Sequence, residues 1–373
     1  MTTETANRVQ LAAGHWKPRF VANGIDANDF DRVLSETVEW RDWAPNWMRV
    51  GDEHRAIADE AERSGHLVTA ADAYQRAAWC YHLGKFLWFE DRALHDDLRE
   101  RTVATYAKAL PRLDPPGRRI EAPFEGAIIP GILRAPRGAS RPPVVILVPG
   151  LDSVKEELYA MENDFLRRGL ATLTIDGPGQ GENAPRFPIR ADWSSVVSPL
   201  VDHLSADERG LDLGRVGLMG ISMGGIYGPR AAAKEKRLRA IVALAGPYDL
   251  SECWAALNPL TKDGYVFYTH SRDEAWREGS ALPAGPGRAD RPRGTERDPA
   301  ALPRRQSRLQ QHSLQVPTRD GRLDGEAARR GAIGRDRGER RCARRAAGPA
   351  RRSRRRRRHR SHIDVGRRRW RGR

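Results

Sequence analysis

The sequence predicts an α/β protein: a doubly wound, mostly parallel sheet preceded by a helical domain and followed by a tail that does not fold. Three observations predict it. Apolar runs of strand length alternate with helix-length segments from residue 143 to residue 244, the pattern of strands buried on both faces of a parallel sheet. Residues 1–112 read as helical and carry six of the ten tryptophans. From Ala281 the chain changes character, because its last 93 residues hold 30 Arg, no Lys and one aromatic, Trp370.

These divide the chain into a helical lid or accessory domain (1–112), a sheet core (113–275) and an Arg-rich tail (276–373). In the first, Asp52 to Arg63 forms an amphipathic stretch closed by Ser64-Gly65. Thr69 is placed to cap a second helix, whose apolar stripe runs through Ala70, Ala73, Ala77 and Cys80. A third runs from Glu90 to Leu110. Pro115-Pro116-Gly117 ends the helices, and Ile120 to Phe124 with Ala127 to Leu133 read as a hairpin turning near Gly126. The continuous apolar run Val144 to Val148 is the first buried parallel strand. A helix from about Lys155 to Arg168, a strand Ala171 to Ile175, a helix around Trp193 to Leu204, the strand before Ser222, the helix after it and a strand Leu238 to Leu244 complete the series.

Charge is divided as sharply as structure. The whole chain is +16, but residues 281–373 carry +21 and residues 1–280 carry −5. The basic character therefore belongs to the tail alone. Three widely spaced cysteines, Cys80, Cys253 and Cys342, have neither metal spacing nor a disulfide framework and fit a reducing cytoplasm. The N-terminus lacks a signal pattern, and the apolar runs are too short to span a bilayer, so a soluble cytoplasmic protein is expected.

The most specific motif is Gly220-Ile221-Ser222-Met223-Gly224, a G-x-S-x-G sequence with an apolar strand before it and a helix after it. In such an elbow the flanking glycines leave room for neighbouring backbone while the serine is lifted above the sheet edge. Ser222 is the candidate nucleophile. Its oxyanion needs two donors: the amide of Met223, at the start of the following helix, and the amide of Leu151, in the Pro149-Gly150-Leu151-Asp152 loop. Asp176-Gly177-Pro178-Gly179-Gln180-Gly181 lacks the Lys and Ser/Thr of a phosphate loop and reads as a tight turn after a strand. No His/Cys cluster has metal spacing, so no metal site is expected.

The stretch from Ile120 to Leu250 resembles the α/β-hydrolase superfamily. Pro149 to Glu156, Asp176 to Gly181, Gly220 to Gly225 and Gly246-Pro247-Tyr248-Asp249, behind an N-terminal helical domain, are similar to the subgroup of 2,6-dihydropseudooxynicotine hydrolase, a carbon–carbon bond hydrolase, and its esterase-like relatives. The resemblance implies a serine nucleophile, a helical lid over an apolar pocket, a small-molecule substrate and no cofactor. It implies hydrolysis of an ester, an amide or an activated ketone, and the aromatic-rich helices suggest an apolar or aromatic substrate. Pro149 stands where the family usually has a His before the oxyanion glycine.

The acid and base that should follow the nucleophile in this superfamily are missing. After Arg272 there is no strand ending in an Asp loop and no Gly-x-His-like turn, and His312, His359 and His362 lie in Arg-rich sequence. Asp249, one strand early, is the alternative acid. Arg, Ala, Gly and Pro make up 60 of the last 93 residues, the composition expected of a GC-rich gene read out of frame. We expect a frame shift between about Arg272 and Gly285, leaving an inactive remnant or an incomplete core. The rival is a genuine basic tail that binds nucleic acid or another polyanion non-specifically.

Overall fold

The computed structural model describes residues 3–208 and 210–270. The expectations for the tail, its histidines and Cys342 lie outside these residues.

Five helices come first: α1 (Thr3–Asn23), α2 (Ala27–Glu36), α3 (Trp43–Arg63), α4 (Leu67–Lys85) and α5 (Arg92–Ala109). Asp26 and Asp91 cap α2 and α5 by accepting hydrogen bonds from Asn28 N and from Ala93 N and Leu94 N. Two expectations shift. The helix expected from Asp52 begins at Trp43, because Trp43, Trp47 and Val50 bury the face that this first half presents. Thr69 is not a cap but lies inside α4, whose N-cap is His66. Gly65, at φ +76°, closes α3, and the His66 amide donates back to Ala61 O at 2.8 Å, so α4 starts at once.

All six N-terminal tryptophans are core, none more than 6% exposed. Trp16 meets Trp43 edge-on at 6.0 Å, and Trp40 stacks on Trp43 at 5.4 Å. They stabilise the helices and say nothing about the substrate, which corrects that reading of the composition.

The sheet has six strands: β1 (Gly117–Phe124), β2 (Ala127–Arg134), β3 (Pro143–Val148), β4 (Ala171–Ile175), β5 (Asp212–Ile221) and β6 (Leu238–Leu244), in the order β1-β2-β4-β3-β5-β6. The β1–β2 hairpin turns through Glu125 and Gly126, both at positive φ (45° and 72°), as a two-residue turn matched to strand twist requires. β2 runs antiparallel to β4, and β4, β3, β5 and β6 are mutually parallel. Helices α6 (Tyr159–Leu166), α7 (Ser194–Asp207) and α8 (Met223–Lys234) are the crossovers, followed by α9 (Leu250–Cys253) and α10 (Pro259–Tyr268). The helix expected from Lys155 opens as a 3-10 turn, Lys155–Leu158, before α6. All four residues of that turn are buried, and Lys155 Nζ and the Glu157 carboxylate are held by fixed partners.

Those partners join helices to sheet. Glu157 accepts hydrogen bonds from Arg19 Nε and Asn23 Nδ2, each at 3.0 Å, and lies 3.0 Å from His82 Nε2. Trp79 Nε1 donates to Glu156 O at 3.0 Å. On the other side, Lys155 Nζ pairs with Asp176 Oδ2 at 2.9 Å, and Asp176 also accepts from Lys155 N at 2.9 Å and Glu182 N at 3.2 Å. Buried charges persist only when paired in this way.

Glu182 provides a pH test of the network. Burial pushes its carboxyl up, but the Arg119 fork at 2.7 and 2.8 Å and the nearby Lys155 pull it down further, to about 2 from an ordinary 4.5. A carboxylate lowered on folding stabilises above its unfolded value and loses that contribution as pH falls through its folded value. Glu182→Gln is therefore expected to lower Tm at pH 7, with the gap to wild type closing as pH drops toward about 2. Melting curves across that range check it; a gap independent of pH would contradict it.

No helix among the described residues is long and apolar enough to cross a membrane.

Candidate active site

At the end of β5 the chain turns into α8 through Ser222, which has φ +55° and ψ −116°. A positive φ is costly for a residue with a Cβ and persists only where the surroundings over-determine it. They do so here. The Ser222 amide donates to Leu244 O at the end of β6, and the Gly225 amide donates to Ser222 O, both at 2.8 Å. Ser222 stands at the N-cap of α8, yet its side chain makes no cap hydrogen bond and is exposed. Its hydroxyl is left available for chemistry.

The glycines around it are required by contact. A Cβ on Gly220 would come within 1.8 Å of Gly224 O, and one on Gly224 within 2.2 Å of Val148 O. Gly225 and Gly246 face each other so closely that a Cβ on Gly225 would meet Gly246 Cα at 2.8 Å. The end of β3, the elbow and the turn after β6 therefore pack backbone on backbone.

This packing also brings the Pro149–Asp152 loop to the serine. A Cβ on Gly150 would lie 3.1 Å from Ser222 Cβ and 3.5 Å from its Oγ. Leu151, next in sequence, is partly buried against the cores of both the helices and the sheet. Met223 opens α8, buried, with its sulfur accepting a hydrogen bond from Tyr265 Oη at 3.2 Å. The sequence-expected nucleophile and the two expected donor residues thus share one end of the sheet.

Sequence reasoning missed the groups that hold this loop. Gln180 Nε2 donates to Pro149 O at 2.7 Å and Gly150 O at 3.3 Å, while its Oε1 accepts from Gly177 N at 3.0 Å. The Asp176–Gly181 turn, read only as a turn, is a bracket behind the loop. Asp152 is fully buried and carries its own set of partners, taken up below. Its position beside a glycine-rich loop was the available signal; its partners, far away in sequence, left none.

Asp249 lies just past β6 and caps α9, accepting from Ser251 N at 2.9 Å and Ser251 Oγ at 2.6 Å. Among the described residues no histidine hydrogen-bonds to Ser222 Oγ. His54, His82, His95 and His203 pair with acidic residues, and His270 Nε2 contacts Ala184 O at 2.7 Å. His82 and His95 are both pushed below the ordinary histidine value by burial, against the pull of Glu157 on the first and of Asp96 and Asp152 on the second. No group of acidic, histidine or cysteine side chains among the described residues could hold a metal ion.

A mixed, mostly parallel sheet carrying a strained serine at a glycine-packed strand-to-helix turn defines an α/β hydrolase. The chain belongs to the esterase FrsA-like family, whose model matches residues 22–254; the broader alpha/beta hydrolase family model matches residues 145–366. It is similar to the 2,6-dihydropseudooxynicotine hydrolase of Paenarthrobacter nicotinovorans, 36% identical over 251 residues that make up 67% of this chain and 66% of that protein. With the hydrolyase poxO of Penicillium oxalicum it shares 37% identity over 223 residues, 56% of this chain and 52% of the relative. The chain therefore spans between about half and two thirds of the length of these curated relatives. The crystal structure of 2,6-dihydroxy-pseudo-oxynicotine hydrolase matches with a TM-score of 0.64 and 33% identity over 71% of this chain and 73% of that one.

Proposed function

We propose that this protein is a serine hydrolase in which Ser222 attacks the carbonyl of a small ester, amide or activated ketone. The observation that carries this reading is the backbone of Ser222, held at φ +55° with its hydroxyl uncommitted. In the proposed reaction Ser222 Oγ bonds to the carbonyl carbon as its proton passes to a base. The resulting oxyanion lies between the amides of Leu151 and Met223, and free amides at the start of a helix favour negative charge there. Collapse of the tetrahedral species expels an alcohol, an amine or the carbanion of a ketone, and the proton goes to that leaving group. Water then cleaves the acyl-serine and restores the hydroxyl.

Asp249, just past β6, is the proposed acid. The side chains of Leu87, Leu151, Trp254 and Tyr265 near the two donors favour a small apolar or aromatic substrate. The carbon–carbon alternative rests on the relative named as 2,6-dihydropseudooxynicotine hydrolase.

The test is a panel of aryl esters, anilides and 1,3-diketones assayed with wild type, Ser222→Ala and Asp249→Asn. Wild type is expected to turn over at least one class and Ser222→Ala none. Asp249→Asn is expected to lose far more activity than Ser251→Ala, which removes only the hydroxyl partner at the cap. Equal turnover by wild type and Ser222→Ala would contradict the reading.

A further inference from the structure

Asp152 follows the proposed oxyanion residue Leu151 directly, and it is 1% exposed. Burying a carboxylate is costly unless its oxygens are fully used. Both are. One accepts from Lys85 Nζ and from Tyr268 Oη, and the other from the amide of Leu87. Lys85 also donates to the backbone carbonyl of Asp152 at 3.1 Å, so one ammonium grips both the side chain and the main chain of the loop. His95 Nε2 stands 3.4 Å from Tyr268 Oη and completes the cluster. Lys85 and Leu87 lie at the end of α4, and Tyr268 is the last residue of α10. None of these donors belongs to the sheet.

The backbone is held away from its relaxed form at both ends of this contact. Asp152 has φ +59° and Leu87 has φ +51°, conformations that only dense local bonding maintains. Burial pushes the Asp152 carboxyl up, yet Lys85, His95 and the hydrogen bonds together hold it below its ordinary value, so it is a carboxylate. Meanwhile α10 touches both proposed donor residues. A Cβ on Gly264 would lie 3.2 Å from Leu151 Cδ2, Tyr265 reaches Met223, and Tyr268 reaches Asp152.

We infer that Asp152 is a positioning residue for the Leu151 amide, and that Lys85 and Tyr268 lock it to the helical layer, making α4 and α10 working parts of the oxyanion site. The helices then do more than cover the sheet. They fix the direction of an amide whose misplacement by about 1 Å costs on the order of 100-fold in rate. The inference rests on the reading of Ser222 as nucleophile and of Leu151 as donor.

The test measures phosphonylation of Ser222 by a fluorophosphonate in the full chain, resolved into the maximal rate and the reagent concentration at half-maximal rate. Lys85→Met with Asp152→Asn removes both buried charges and keeps their volume. Trp79→Phe serves as control, since it removes a different bond between the helices and the sheet, that to Glu156 O. The double variant is expected to melt cooperatively and to lose about 100-fold in maximal rate with the half-maximal concentration within about 3-fold. Trp79→Phe is expected to keep its maximal rate within about 3-fold. Should the double variant not fold, Tyr268→Phe removes one donor and leaves both charges, and about a tenfold loss with the same split is expected. A folded variant with an unchanged maximal rate, or losses that merely track Tm in all variants, would overturn the inference while leaving the nucleophile in place. A wild-type chain that is not phosphonylated would overturn the Ser222 reading and this inference with it.

Discussion

Ser222→Gly is expected to abolish hydrolysis and, at the same time, to raise the melting temperature. The loss follows from removal of the only hydroxyl in the Gly220–Gly224 turn. The gain follows from the backbone. Ser222 sits at φ +55° and ψ −116°, a conformation that costs a residue with a Cβ about 1–3 kcal/mol and costs glycine almost nothing. Glycine adds freedom to the unfolded chain, which takes back about 0.4–1 kcal/mol. The net is a stabilisation of about 1 kcal/mol, or roughly 2 °C in Tm for a chain of this size. Ser222→Ala gives the same loss of activity without the gain, because alanine keeps the Cβ. Calorimetry of the three proteins checks it. A glycine variant less stable than the alanine variant would show that the strain is not stored at this residue.

The second large effect concerns β6. Its sequence, Leu-Arg-Ala-Ile-Val-Ala-Leu, reads as an interior strand of a parallel sheet. Yet among the described residues it is the outermost strand, with no partner beyond it. Five of its seven residues are exposed, including Val242 at 48% and Leu244 at 43%. An apolar, unpaired edge is a template for pairing with another chain. The full chain is therefore expected to self-associate with rising concentration, and Val242→Lys is expected to shift it strongly toward monomer, since a charge on an edge strand opposes such pairing. Val242 is spared any role in the elbow, so the proposed chemistry is unaffected. Sedimentation velocity over a hundredfold range of concentration decides the matter. A wild-type chain that stays monomeric would contradict the exposure of this edge.

Much of the architecture was legible because it is written locally. Val144 to Val148 and Ala171 to Ile175 are short apolar runs between turns, and both emerged as strands with bounds within one residue of those expected. The elbow was legible because its G-x-S-x-G pattern lies within five consecutive residues, where a Cβ on Gly220 would meet Gly224 O. The start of α3 was not, because Trp43 and Trp47 bury a face that becomes apolar only when α2 and α4 pack on it. The acidic residues Asp152, Glu156 and Glu157 resemble a solvated surface when read in sequence, but all three are buried. Lys85, His82 and Arg19, the partners of Asp152 and Glu157, lie 65 or more residues away, as does Trp79, which holds the Glu156 carbonyl. Gln180 escaped notice for the same reason, since nothing in a turn sequence tells which backbone it will hold. Sequence periodicity records burial along one element, and these contacts join separate elements.

The central claim is that Ser222 is the nucleophile. Its most direct test is mass spectrometry of the full chain after reaction with a small fluorophosphonate, followed by peptide mapping of the adduct. A single phosphonyl group on Ser222, absent from Ser222→Gly and blocked by a slowly hydrolysed ester, is the result this account predicts. An unmodified Ser222, or an adduct on another serine or a tyrosine that forms equally well in the glycine variant, would contradict it.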